Sequence, residues 1–437
     1  MKYAAFGILL AMATVTAAQN SAVPAVPANP ALTFAKDIAP ILQRSCQDCH
    51  RPGSIAPMSL LTYEDARPWA RSMKAKVVSR EMPPWTLDKT VGIQKFTHDR
   101  SLSNAEIATI SAWVDQGAPR GNPADMPPPR EFTDTSKWTL SGILGPPDFI
   151  IPIPEPFVVE PNAPNMWIDL VADSGLAEDR WIRAFETKPS QEGFPVVHHA
   201  TTSLYEENAD IVSDDAVSFS EYALGKTGDI LAENSGFLIK AGTKVRFNMH
   251  YAAKERRITD RTSLGLWFYP KGFVPKFKHI RQSVGNVQDL DIPPGENNVS
   301  VDGYLILKDN IRMTVFQPHL HNRGKRQCME VIYPDNHVET LNCVNWNFGW
   351  HIAYNYNADV QPLIPKGSVL HVTTWHDNSA ANKWNPDPRN WAGFGQRSSD
   401  DMAFAHVSWY VLNDDEYKQA VEERNQKLRA GRSTGGQ

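Results

Sequence analysis

Lys244-Val245-Arg246-Phe247-Asn248-Met249-His250-Tyr251 carries an apolar side chain at every odd position and a polar one at every even position. Period-two alternation marks a strand with one face on a core and the other toward water or a cleft, so His250 points off the core. Short alternating segments of this kind, separated by turn residues, run over roughly 150–412, and no sustained helical periodicity follows residue 120. The pattern predicts antiparallel β-sandwiches. About 260 residues is large for one sandwich and right for two packed together, with a break near Asp291-Ile292-Pro293-Pro294-Gly295. The expected units are therefore 151–290 and 291–412.

The stretch before residue 120 reads differently. Cys46-Gln47-Asp48-Cys49-His50 has the spacing of covalent haem attachment, in which each thiol bonds one vinyl group and the histidine ligates iron. Asp37 can cap a helix through Ile41 and Leu42, with Pro40 in its first turn. Ser103 with Glu106 forms a capping box for a helix carrying Ile107, Ile110 and Val114 and closed by Gly117. Residues 32–120 are expected to form a small all-α, cytochrome c-like haem domain. Met82, in Glu81-Met82-Pro83-Pro84-Trp85, is the candidate second axial ligand, with Met58, Met73 and His98 as alternatives.

Residues 1–18 read as a signal peptide: Lys2, an apolar run from Ala4 to Ala13, and the small residues Thr16, Ala17 and Ala18. The run is too short to span a bilayer, and no cysteine follows it closely as a lipoprotein would require. A periplasmic or secreted location follows. Residues 19–31 are an Ala/Pro/Val/Asn linker. The segment 121–150, with Pro127-Pro128-Pro129 and Gly145-Pro146-Pro147, is a stiff connector, and 413–437 an edge helix and tail. Cys328 and Cys343 flank the turn Pro334-Asp335-Asn336-His337 at equal distances, so a hairpin sets them opposite each other for a disulfide; a buried free pair is the alternative. A net charge of -5 gives no reason to expect nucleic acid or an anionic membrane as a partner.

Six side chains on non-core faces share a chemistry. In Met313-Thr314-Val315-Phe316-Gln317-Pro318-His319-Leu320-His321 the two histidines occupy one strand face, close enough to grip one ion. His198-His199 is an adjacent pair whose rings diverge on a regular strand and converge only at a strand end or bulge. Met402 follows Ser398-Ser399-Asp400-Asp401 and shares a face with Phe404 and His406. With His250 these are six soft or borderline ligands, and imidazole with thioether selects copper over zinc. His351, His371, His376 and His406 are outer candidates, His376 with Asp377 foremost, each with a surface polar role as the ordinary expectation.

With those residues assembled, the chain resembles the copper type II, ascorbate-dependent monooxygenases, which include peptidylglycine α-hydroxylating monooxygenase and dopamine β-monooxygenase. It resembles more closely their bacterial relatives with an N-terminal cytochrome c domain. The likeness covers most of 33–412 and is carried by Cys-x-x-Cys-His-Arg-Pro-Gly at 46–53, Met-Pro-Pro-Trp at 82–85, Pro-His-Leu-His-Asn-Arg-Gly-Lys at 318–325, and Trp-His-Asp-Asn-Ser-Ala-Ala-Asn at 375–382 running into Asn385-Pro386-Asp387-Pro388. It implies two jelly-roll-like sandwiches with a copper on each side of a solvent cleft. One copper is then held by His198, His199 and His250, the other by His319, His321 and Met402. The peptide-amidating enzymes have an arginine two places before the His-x-His pair, and asparagine and tyrosine after the methionine. This chain has Gln317, Phe404 and His406 there, so a peptide-carboxylate clamp does not carry over.

The resulting expectation is a copper monooxygenase acting with O2 on a small-molecule or peptide-like substrate. His319, His321 and Met402 form its catalytic centre, Gln317, Phe404 and His406 line its cleft, and two coppers and one haem c are its cofactors. An external reductant feeds the haem. The alternatives are an electron-transfer or copper-binding protein without an organic substrate and, third, a haem peroxidase.

Overall fold

The computed structural model describes residues 32–434, apart from 53, 55, 57, 133–135, 165, 206–217, 224–227 and 396. The expected leader and linker at 1–31 lie outside the described residues.

A ten-stranded sheet forms the backbone of the fold. Its main path runs Phe149–Pro152, Ser263–Phe268, Arg180–Lys188, Ser235–Ile239, Phe277–Gly285, Phe404–Leu412, Asn310–His319 and Tyr354–Asn355. The first half is covered by a four-stranded sheet ordered Met166–Asp173, Lys244–Tyr251, Val197–Tyr205, Ser218–Ala223. The second half is covered by Val299–Ile306, Val369–His376, Gly324–Ile332, Val338–Asn345. Each four-stranded sheet closes one core against the long sheet. In the first core, Val245, Phe247, Met249 and Tyr251 are each 0% exposed, as period-two alternation requires.

The sequence-based fold class needs correction in its helical part. Strand makes up 36% of the chain and helix 17%, and no separate all-α domain stands at the N-terminus. The helices there are few and short: Phe34–Ile38, Ala39–Ser45, Tyr63–Ala66, Ala70–Val78 and Asn104–Asp115. The last opens with the capping box of Ser103 and Glu106, but the helix through Ile41 and Leu42 begins after Ile38 with no side-chain cap, and Asp37 accepts the Thr33 backbone N–H instead. Between the helices, Leu87 and Phe96 enter the second β core, with Trp85 and Ile93 packed against it. Leu87 bridges Val344 and Phe96 bridges Tyr356. The apolar residues of 85–96 find more surface to bury on the sheets than on short helices.

The two β units share the long sheet. Phe277–Gly285, which falls within 151–290, pairs antiparallel with Phe404–Leu412 and parallel with Ser235–Ile239, so one sheet passes through both. Cys328 and Cys343 are directly opposed on neighbouring strands and joined as a disulfide. Helix Asp414–Thr434 follows the last strand and places Ala420 in a small cluster with Tyr410 and Leu412. Among the described residues, no helix is long and apolar enough to cross a membrane.

Candidate metal centres

The outer face of the first four-stranded sheet meets the non-core face of the long sheet, and histidines from both line the junction. His199 and His250 are cross-strand partners, and the register slips between Val197 and His199. His198 is the extra residue of this bulge, which turns adjacent side chains toward one point where a regular strand would separate them. Nδ1 of His199 lies 3.3 Å from Nδ1 of His198 and 3.4 Å from Nδ1 of His250. Nitrogens ~2.0–2.1 Å from a tetrahedral ion are themselves ~3.3–3.4 Å apart, so both of these contacts stand at ligand spacing, and the candidate ligand atoms of the three rings all lie within 4.8 Å of one another. Trp167, opposite His250 on the neighbouring strand, stacks on its ring at 4.2 Å and fixes its plane.

The second group lies on the long sheet. Phe316 is 0% exposed in the core, which sends Gln317 and His319 to the opposite face, where they pair with His406 and Phe404. The rings of His319 and His321 have centres 5.5 Å apart, and Phe404 stacks on His319 at 5.0 Å. Met402 is buried and lies two residues before the Phe404–Leu412 strand begins. Asp401, 0% exposed, accepts the backbone N–H groups of His321, Met402 and Arg323 at 2.9, 2.8 and 2.9 Å. One carboxylate thereby joins the two segments that carry the candidate donors. Burial acts to raise its pKa, but His376 and the other donors around it hold it below the usual carboxylate value.

The remaining histidines separate clearly. His376 is 0% exposed with Nε2 3.1 Å from the Met402 carbonyl and 3.3 Å from Asp401, so its carboxylate partner is Asp401 and not the neighbouring Asp377. His371 faces Asp302 and Glu330 on the far sheet and takes no part in the junction. His406 places Nδ1 3.0 Å from the Ser283 hydroxyl. His351, expected at the surface, is only 6% exposed, with its ring centre 5.7 Å from His199 and 5.4 Å from His319. It lies in Trp346-Asn347-Phe348-Gly349-Trp350-His351, where no periodicity signals a buried face. The expected cleft residue Gln317 is 0% exposed; its amide takes a hydrogen bond from Arg281 at 2.7 Å and donates to Glu221, across the junction. The space between the groups is thus partly closed by polar side chains. His198, His199, His319 and Phe404 keep partial exposure.

The cluster is held electrically neutral. Burial first, and mutual repulsion second, push His199 and His319 well below the ordinary imidazole value and bring His250 and His351 down to about 3. A neutral ring offers a lone pair to a metal. Nε2 of His250, Nδ1 of His319, Nδ1 of His321 and both nitrogens of His351 are buried without a hydrogen-bond partner. Leaving such an atom unsatisfied costs roughly 1–3 kcal/mol, which a bound ion would recover for the one nitrogen of a ring that faces it; for His250 that nitrogen is Nδ1 and not the orphaned Nε2. The donor set therefore fits metal.

In the helical part, Cys46 and Cys49 are not paired as a disulfide. His50 directs Nδ1 to the Met58 carbonyl at 3.3 Å, which leaves Nε2 for iron, and the Arg100 guanidinium lies 3.8 Å from the Cys49 sulfur. Met82 lines a cavity of about 810 Å³ with Val77, Trp85, Leu102 and Ile107, a lining that does not include Cys46, Cys49 or His50.

No protein-family model matches the chain, and no curated protein matches it. Among solved structures, an allantoicase aligns over 50% of this chain and 79% of its own at 9% identity, with a TM-score of 0.15. A structure of the infectious bursal disease virus Gx strain aligns over 66% and 87% at 8% identity, also with a TM-score of 0.15. Likeness at that level carries no argument.

Proposed function

We propose that the protein is an exported copper-dependent monooxygenase of the copper type II, ascorbate-dependent kind, fed with electrons by a covalently attached haem c. The observation that carries this reading is the approach of three Nδ1 atoms, at 3.3 and 3.4 Å, from an adjacent pair and a cross-strand partner. His198, His199 and His250 would hold one copper, and His319, His321 and Met402 the other. Cys46, Cys49 and His50 would hold the haem, with Met82 as the proposed second axial ligand. Copper so held supplies electrons and oxygen activation, so that R–H, O2, two electrons and two protons give R–OH and water.

The side chains account for the rest. Imidazole and thioether bring no negative charge and favour the reduced ion, and methionine sulfur prefers Cu(I) to zinc. Asp401 holds the His321 and Met402 backbones in register. Partial exposure of His198, His199, His319 and Phe404 leaves an approach for a small substrate and O2. The disulfide between Cys328 and Cys343 supports an oxidising compartment.

A second reading, an electron-transfer or copper-binding protein without an organic substrate, is favoured by the burial of Gln317 and its bonds to Arg281 and Glu221, which narrow the expected cleft. Metal analysis of the purified full chain, with oxygen uptake by the reduced copper-loaded protein over a panel of small substrates, separates the two. The monooxygenase predicts substrate-dependent uptake that His319→Ala abolishes while the haem spectrum stays intact. Uptake at the uncoupled background across the panel would favour the carrier.

A further inference from the structure

We propose that His351 is a seventh metal-binding donor, ligating one ion through Nε2 and oriented by Glu221, at the junction between the two groups. The proposal rests on the reading that both groups hold copper.

The position of the ring is the first argument. Its centre lies 5.7 Å from that of His199 on the first sheet and 5.4 Å from that of His319 on the long sheet. Within the three-histidine group the ring centres are 4.8, 4.9 and 5.6 Å apart. Two imidazoles bound to one tetrahedral ion, with metal–nitrogen bonds of ~2.0–2.1 Å, place their centres ~5 Å apart. His351 thus stands at co-ligand spacing from a member of each group.

The second argument is hydrogen bonding. A buried histidine kept for packing normally has at least one nitrogen bonded. His351 is 6% exposed and neither of its nitrogens has a hydrogen-bond partner. Trp346 meets the ring edge-on at 5.2 Å and Phe348 at 6.2 Å. Glu221 places Oε1 3.9 Å from Nδ1. A carboxylate behind the non-ligating nitrogen is the usual partner of a metal-bound imidazole, because it fixes the tautomer and makes the other nitrogen a better donor. Glu221 is itself held by Gln317, and Gln317 by Arg281. The chain Arg281–Gln317–Glu221–His351 therefore ends on the junction between the two groups.

The test uses the full haem-containing chain, stripped of copper and reloaded with copper alone. Copper K-edge fine structure and Cu(II) electron paramagnetic resonance are recorded for the wild type, His351→Ala, His351→Gln and Glu221→Gln, with circular dichroism as the folding control. The wild type is expected to take two coppers sharing six imidazoles rather than five. His351→Ala and His351→Gln are each expected to remove one imidazole from the scattering, alter the copper hyperfine pattern and weaken one of the two coppers at least ~10-fold, and Glu221→Gln to weaken the same copper ~10-fold. Two coppers bound by a folded His351→Gln chain with unchanged scattering, spectrum and affinity would overturn the proposal alone. A wild type that binds no copper would overturn it together with the reading beneath it.

Discussion

The carboxylate of Asp401 accepts the backbone N–H of His321 at 2.9 Å across 80 residues of chain, while Oδ1 of the same side chain also takes the N–H of Met402 at 2.8 Å. The two candidate donors that arrive from opposite ends of the second unit are positioned by one acceptor, and Arg323 gives it a third N–H. Asp401→Ala leaves three buried donors without a partner, each worth roughly 1–3 kcal/mol, so a loss of about 3 kcal/mol or more is expected in urea unfolding. Asp401→Asn keeps an acceptor oxygen and should lose less. Equal stability of Asp401→Ala and the wild type would show that Asp401 does not hold these segments.

The depressed imidazoles make stability depend on pH in a defined direction. His250 and His351 sit at about 3 in the folded chain, against about 6.5 in an unfolded one. Below pH 6.5 the unfolded chain binds protons that the folded chain refuses, so copper-free protein is fully stabilised above that pH and loses stability as pH falls from 6.5 toward 3. Each ring kept neutral contributes a slope of about 1.4 kcal/mol per pH unit in that window. The same depression means that copper uptake at pH 6 displaces few protons, because the donors are already deprotonated. Calorimetric titration of copper in buffers of differing ionisation enthalpy reads this directly. Release of several protons at pH 6 would contradict it.

Several of these features could be read from the chain alone. Val245, Phe247, Met249 and Tyr251 announce a core face by alternation, and the symmetric placement of Cys328 and Cys343 about a turn announces their pairing. The bulge at His198 could not be seen there, since it exists only in the register with the His250 strand. His351 was hidden by an aperiodic aromatic loop, and the role of Asp401 by the 80 residues that separate it from His321. The error over residues 32–120 has the same origin. Capping and spacing signals are local, whereas the burial of Phe96 depends on Tyr354 and Tyr356, more than two hundred residues away in the chain.

The disulfide gives a third expectation. Cys328 and Cys343 are buried, on neighbouring strands, and close a loop with a sequence separation of 15. Restricting a loop of that length in the unfolded chain stabilises the fold by about 3 kcal/mol. Cys328→Ala combined with Cys343→Ala should lower stability by that amount in guanidinium unfolding, with the haem-attachment cysteines untouched. A drop below about 1 kcal/mol, within the range seen for bridges that constrain little, would mean that the hairpin is already ordered in the unfolded chain.

Phe96 tests whether the N-terminal part is a separate body. Its ring, 5% exposed, meets Trp85, Tyr354 and Tyr356 at 6.1, 5.7 and 5.2 Å. Around it the backbone is stitched to the second sheet by Asp88 to Cys343, Ile93 to Leu341 and Thr97 to Asn355. Gly92 fits only because it lacks a side chain: its φ is +65°, and a Cβ there would fall 1.9 Å from the Leu341 carbonyl oxygen. Phe96→Ala should therefore destabilise the second β core by about 3–5 kcal/mol, the range for removing a buried aromatic ring. Trp69→Ala, at a ring 43% exposed on the helical side, should change stability by about 0.5 kcal/mol or less. Denaturation followed by tryptophan fluorescence and by the haem band distinguishes the outcomes. If 85–96 belongs to the β core, Phe96→Ala shifts the fluorescence transition of the sheets; if the helical part is an autonomous domain, only the haem transition moves.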